Sequence, residues 1–181
     1  MKTQRMLLPR KLEEEGTAGK IAEVLDRHKA RPWPGAEAEV PVLKLSRALE
    51  QAIRKARLQR RVRPGFEDIA NKLAAEQKGL AGIRPSSDGA TATRISRLLL
   101  FSNDGAPRLY RHIEQLYKQH YPRILACQID VDGRSLGTLI AGGKGARGSG
   151  MKVILIEHKD AVADVLRSLM DDNQASGSWP P

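Results

Sequence analysis

A basic segment is the part of this chain whose residue types most clearly predict a chemistry. Between Lys44 and Arg63 the chain carries eight lysines or arginines against a single acidic residue, Glu50, so the segment holds +7 of a formal net charge of +10. Cations gathered in this way bind polyanions such as nucleic-acid backbones. The segment therefore predicts a phosphate-binding surface, and its candidate residues are Arg54, Arg57, Arg60, Arg61 and Arg63.

A helix start follows the basic segment directly. Pro64 disfavours helix in the residue before it, and Gly65 permits a tight turn into a helix that begins at Phe66. The free amide groups at the start of a helix attract phosphate. Gly65 is therefore predicted to lie in the same nucleic-acid surface as the preceding arginines.

Carboxylates after a predicted strand suggest a second chemistry. Asp130 and Asp132 lie two residues apart after an apolar run, as in the magnesium sites of Toprim-like nucleases and topoisomerases. Such a site needs another carboxylate from an earlier strand, and only Asp104 is placed to supply it. The alternative is a polar turn in which Asp132 is the N-cap of the next helix.

Cysteine and histidine chemistry is not expected. Cys127 is the only cysteine, which excludes a disulfide framework, and it lies in an apolar run that predicts a buried side chain. The spacing of His112, Glu114 and His120 suits no zinc site, so these residues are predicted to face solvent or cap a helix. We expect no cofactor.

The apolar periodicity predicts alternating helices and strands. Predicted helices cover residues 20–29, 46–60, 66–77, 106–119, 135–140 and 161–170, and predicted strands cover 61–63, 95–101, 124–129 and 152–157. Strands separated by helices imply a sheet with helices on both faces. The expected fold is a three-layer α/β/α sandwich with a small mixed sheet and an N-terminal helical extension.

The chain divides into three predicted parts. Residues 1–41 form the N-terminal extension and a proline-rich linker, residues 42–170 form the α/β/α RNA-binding domain, and residues 171–181 form a disordered tail. A surface loop is predicted at residues 79–93. A glycine-rich basic loop at residues 141–150 is predicted to bring Lys144 and Arg147 to RNA phosphate.

By the order of its elements, the stretch Leu45–Leu169 resembles the kink-turn-binding ribosomal protein family, which includes ribosomal, box C/D and ribonuclease P proteins. A basic helix, a short strand, Gly-Phe-Glu-Asp at 65–68, SRLLLFSND, RILACQIDVD, Ser-Leu-Gly at 135–137 and MKVILIEHKD follow in the family's order. The resemblance implies an RNA-binding component of a ribonucleoprotein: the ribosome, ribonuclease P or a guide-RNA particle.

The resemblance also implies further site residues. Glu67 and Asp68 stand where the family has Asn and Glu against kink-turn bases, and Lys72 lies beside the position of the family's lysine. Val131 and Arg134 occupy the turn that the family presses against an extruded nucleotide.

Composition bounds the remaining possibilities. Only 4% of residues are aromatic, which disfavours recognition by stacking many splayed bases. No apolar run is long enough for a membrane span, and the first residues lack a secretory signal, so we expect an intracellular protein of the cytoplasm or nucleus, including the nucleolus. Expected partners are structured RNA and other ribonucleoprotein proteins; a third possibility is an interaction module that binds an acidic protein.

Overall fold

The computed structural model describes residues 6–82, 94–142 and 150–175. Within these ranges the helices are α1 (Arg10–Glu14), α2 (Ala18–Arg27), α3 (Arg47–Leu58), α4 (Phe66–Ala81), α5 (Pro107–His120), α6 (Gly133–Ala141) and α7 (Lys159–Ala175). The strands are β1 (Lys29–Ala30), β2 (Val40–Leu43), β3 (Val62–Pro64), β4 (Arg97–Phe101), β5 (Ile124–Ile129) and β6 (Val153–Ile156).

The six strands form one mixed sheet in the order β1-β2-β5-β4-β6-β3. β5 is parallel to both β2 and β4, whereas β6 is antiparallel to β4 and β3. Strands β2, β3, β4 and β5 therefore all point the same way. We call the edge at which these four strands end the carboxyl edge, and the edge at which they begin the amino edge.

Side chains that alternate along β4 separate two apolar cores. Leu98 and Leu100 pack with residues of α1, α2, α3, α6 and α7 on one face of the sheet. Leu99 and Phe101 pack with residues of α4 and α5 on the other face. This alternation is the consequence of a pleated strand between two helical layers, and it confirms the predicted three-layer α/β/α fold.

Strand β2 is an element that the sequence pattern did not predict. It comprises Val40–Leu43, pairs with β5 through Val42 and Leu43, and so contains the predicted domain boundary between residues 41 and 42. Leu12, Ile21 and Leu25 of α1 and α2 are fully buried in the core that α3 and α7 also line. The N-terminal helices thus share one core with the rest of the described chain.

Two helices run further than expected. α4 extends to Ala81, so residues 79–81 are helical where a loop was predicted. α7 extends to Ala175, so residues 171–175 are helical where a disordered tail was predicted. The remaining parts of those two predictions, residues 83–93 and 176–181, lie outside the described residues, as do Lys144 and Arg147 of the predicted basic loop.

Candidate nucleic-acid interface

Helix α3 positions the basic segment by burying one side and leaving its cations outward. The amide of Leu49 donates to Ser46 Oγ at 3.1 Å, which makes Ser46 the N-cap of α3. Leu49, Ile53 and Ala56 are buried in the core. Because these apolar residues fix the inner face of the helix, Arg54 and Lys55 lie on its exposed face.

The end of α3 turns sharply into β3 at the amino edge. Arg60 has φ 57°, the amide of Arg60 donates to the Arg57 carbonyl, and the amide of Arg61 donates to the Ala56 carbonyl, both at 2.9 Å. This pair of bonds is a Schellman motif, in which the left-handed position is usually glycine. An arginine in that position projects a cation from the corner where the chain leaves the helix.

Several cations of the basic segment have internal partners. Arg54 pairs with Glu50 at 2.7 Å, Lys55 with Asp164 at 3.1 Å and Arg63 with Glu157 at 3.1 Å. Arg57 Nη1 donates to the Ile140 carbonyl at 2.9 Å. Among the described residues no side-chain partner is found for Arg47, Arg60 or Arg61. Of the described cations of the basic segment, Arg60 and Arg61 are therefore the two that lie at the amino edge without a side-chain partner.

The other predicted site residues lie on the carboxyl edge. There the Gly65 amide donates to the Val153 carbonyl at 3.2 Å, and the Asn103 amide donates to the Val131 carbonyl at 2.9 Å. The first bond joins the start of α4 to the beginning of β6, and the second joins the turn after β4 to the turn after β5. The ends of β3 and β5 place a group of predicted residues along this one edge, with β4 and β6 between the two strands: Gly65, Glu67, Asp68, Val131 and Arg134.

Strand β3 separates the two groups. Arg61 precedes this strand and Gly65 follows it, so the three residues of β3 lie between them and about 13 Å of extended chain separates the two Cα atoms. Lys72, on α4, lies near the amino-edge group through its contact with Glu76. Arg60 and Arg61 therefore lie at the amino edge and Gly65 lies at the carboxyl edge, so the predicted site has an amino-edge part and a carboxyl-edge part.

The three aspartates are held by separate contacts. Asp104 accepts a bond from Lys152 Nζ at 2.6 Å and from the Gly133 amide at 2.9 Å, and the lysine holds the pKa of Asp104 below its ordinary value. Asp130 accepts a bond from Asn103 Nδ2 at 3.0 Å.

Asp132 confirms the N-cap alternative. Its carboxylate accepts the Ser135 amide at 2.7 Å at the start of α6, and this bond holds its pKa below the ordinary value. Across residues 6–82, 94–142 and 150–175 no three metal-ligating side chains are grouped closely enough to hold an ion.

The prediction that His112, Glu114 and His120 face solvent or cap a helix was wrong. His112 is half-buried against Phe66, with 5.7 Å between ring centroids. Glu114 accepts the backbone amides of Glu37 and Ala38. His120 is 6% exposed, and burial, aided by the charge of Arg123, lowers its pKa. Each packs or bonds to another part of the chain, which the helical spacing alone does not reveal.

Cys127 is fully buried, as predicted. Burial raises the pKa of its thiol far above the ordinary value, so the thiolate is not formed in the folded protein.

The amino edge contains basic residues that the sequence reasoning missed. Arg97 begins β4 and Arg123 precedes β5, and both donate to Glu76 of α4, at 2.9 and 3.3 Å. The signal that could have found them is their position: each stands at the amino end of a predicted strand. Parallel strands bring such ends to one edge of the sheet. Helix α3 ends at the same edge, where Arg60 and Arg61 follow it.

Comparison with protein-family models and with curated proteins found no match to this chain. In the part of the chain that the structure describes, no helix is both long and apolar enough to cross a membrane.

Proposed function

We propose that this protein binds structured RNA as a component of a ribonucleoprotein. The observation that carries the proposal is the cation excess at the amino edge, where Arg60 and Arg61 have no side-chain partner among the described residues. Guanidinium groups left free in this way supply charge-assisted bonds to phosphate oxygens. Internal ion pairs therefore neutralise only part of the +7 segment.

The composition of the chain agrees with recognition of backbone and shape. The protein is basic overall, with a sequence pI near 10.0, and few aromatic residues are available for base stacking. In this proposal the amino edge neutralises the phosphates, and base contacts come from other side chains. The resemblance to kink-turn-binding proteins adds the carboxyl edge, with Gly65, Val131 and Arg134, as a second contact for a bent RNA.

Titration of a fluorescent hairpin RNA in buffer with EDTA tests the proposal. We expect binding that does not need a divalent metal and that falls steeply as salt rises, because phosphate contacts release counterions. Arg60→Glu combined with Arg61→Glu should weaken binding by about tenfold or more, since two cations become two anions. Both residues are partly or fully exposed, so the fold should be retained.

Two results obtained with RNA would overturn the proposal. One is an RNA affinity of the double variant equal to that of the wild type, because Arg60 and Arg61 would then not contribute to RNA binding. The other is cleavage of the RNA that requires magnesium and disappears in Asp130→Asn, which would favour the nuclease alternative. Preference for an acidic protein over RNA at physiological salt would instead favour the interaction module.

A further inference from the structure

A row of charged residues crosses three neighbouring strands at the amino edge. Ile156 of β6 pairs with Val62 of β3 and with Leu98 of β4, so the adjacent residues Arg61, Glu157 and Arg97 lie side by side. Cross-strand neighbours project from the same face of a sheet. Because Arg97 contacts Glu76 of α4, this row lies on the face that α4 covers.

Glu76 joins the row to the next strand. Its carboxylate accepts bonds from Arg97 Nη2 at 2.9 Å and from Arg123 Nη2 at 3.3 Å, and Lys72 Nζ lies 3.8 Å away. Glu157 similarly accepts bonds from Arg63 Nε and Nη2, at 3.1 and 3.4 Å. We call this group the amino-edge cluster: Arg61, Arg63, Lys72, Arg97 and Arg123 with Glu76 and Glu157.

The amino-edge cluster is not neutral. Five cations face two carboxylates, which leaves a net charge of +3. The side chains of Glu76, Glu157, Arg97 and Arg123 are between 15% and 19% exposed, whereas that of Lys72 is 40% exposed and that of Arg63 is 34% exposed. Unbalanced cations that are partly removed from water are stabilised by a bound anion with several acceptor oxygens.

We propose that the amino-edge cluster binds a phosphodiester of the RNA backbone, so that the RNA passes from the end of α3 across the sheet edge to α4. This inference rests on the proposed function and extends its surface to Lys72, Arg97 and Arg123. The carboxylates of Glu76 and Glu157 orient the guanidinium groups, and the remaining donors of Arg61, Lys72 and Arg123 face the phosphate oxygens.

The test compares two double variants that remove the same charge. Lys72→Gln with Arg123→Gln removes two cations of the cluster while Glu76 keeps its bonds from Arg97. Lys20→Gln with Arg27→Gln removes two exposed cations of α2, on the other face of the sheet. Affinity for the hairpin RNA is measured over a series of salt concentrations, and urea unfolding checks that each variant folds.

We expect the cluster variant to bind the hairpin RNA about five- to tenfold more weakly than the wild type. The slope of log affinity against log salt concentration should also become shallower by about 1.5, because two phosphate contacts are lost. The α2 variant should change affinity less than about twofold. If the cluster variant fails to fold, Lys72→Gln alone serves, because that side chain is exposed and only loosely paired.

If the wild-type protein binds RNA and the two double variants weaken that binding equally, this inference is overturned and the proposed function stands. If the wild type binds no RNA, both fall. If inorganic phosphate raises the melting temperature of the wild type but not of the cluster variant, while RNA affinity is the same for both, the cluster is a site for the free ion and the RNA assignment is overturned.

Discussion

Arg60 occupies a backbone position in which an arginine is costly. Its φ of 57° lies in the left-handed region, and the Schellman bonds at the end of α3 do not need its side chain. Because arginine strains the backbone here without stabilising the turn, we infer that its side chain has a functional role. In this account the side chain contacts RNA phosphate.

We therefore expect Arg60→Gly to affect stability and binding in opposite directions. Glycine adopts the left-handed region without strain, so the free energy of unfolding should rise by about 0.5–1 kcal/mol in urea titrations. The affinity for hairpin RNA should fall severalfold because one cation is lost. Arg60→Lys is the control, since it keeps the charge and the strain, and a glycine variant with unchanged RNA affinity would contradict the role given to Arg60.

The turn that leads into helix α4 depends on Gly65, the N-cap residue of the helix. Gly65 has φ 88° and ψ 132°, backbone angles that residues with a Cβ rarely adopt. A Cβ added at this position would nevertheless meet nothing within 4 Å. The strain of a substitution there comes from the backbone alone. The positive φ is needed because the chain must leave β3 and enter α4 without an intervening loop.

We expect Gly65→Ala to lower the free energy of unfolding by about 1–3 kcal/mol. Gly79→Ala is a matched control within α4, where an added Cβ also meets nothing within 4 Å, and alanine should stabilise this helix by up to about 1 kcal/mol. The two unfolding midpoints in urea should therefore move in opposite directions. A Gly65 variant as stable as the wild type would show that the turn does not require glycine.

The elements differ in how far the sequence could predict them. Strand β5 was predicted at the residues that form it, because Ile124–Ile129 is a continuous apolar run of the kind that a buried parallel strand requires. Strand β2 was missed because Pro41 lies within Val40–Leu43, and proline normally argues against a strand. The structure tolerates Pro41 in a strand of only four residues.

The candidate site was less predictable than the fold. Local sequence showed where the cations are dense, but not that Arg63 would pair with Glu157, 94 residues away, or that β3 would hold Arg61 and Gly65 apart. Those facts depend on strand order, which the spacing of apolar residues does not determine. Arg97 and Arg123 were not predicted as site residues because neither belongs to a dense run of cations in the sequence. Only the strand order brings them to the same edge as the basic segment.

A buried histidine and a partly buried aspartate together predict a loss of stability of the whole protein in acid. Burial first, and then the charge of Arg123, lowers the pKa of His120 below its ordinary value of 6.5. For Asp164 burial acts to raise the pKa, but hydrogen bonds from Arg167 and Lys55 outweigh it and hold the pKa below 3.8. In both cases the unfolded chain takes up protons that the folded chain resists.

The free energy of unfolding should therefore fall as pH falls below about 6.5, through His120, and fall further below about 4, through Asp164. Urea unfolding at several pH values between 7.5 and 5 measures the first step. His120→Gln should flatten the dependence in that range, whatever its effect on stability at pH 7.5. Stability that stays constant or rises as pH falls from 7 to 5 would contradict the account.

Photochemical crosslinking of the full chain to a bound hairpin RNA, followed by mass spectrometry of the peptides, would show which edge of the sheet contacts the RNA. If the amino edge binds RNA, we expect crosslinks in peptides around Arg60, Arg61 and Arg123 that are lost in Arg60→Glu with Arg61→Glu. Crosslinks confined to the carboxyl edge around Gly65 and Arg134, or the absence of any RNA-dependent crosslink, would contradict RNA binding at the amino edge.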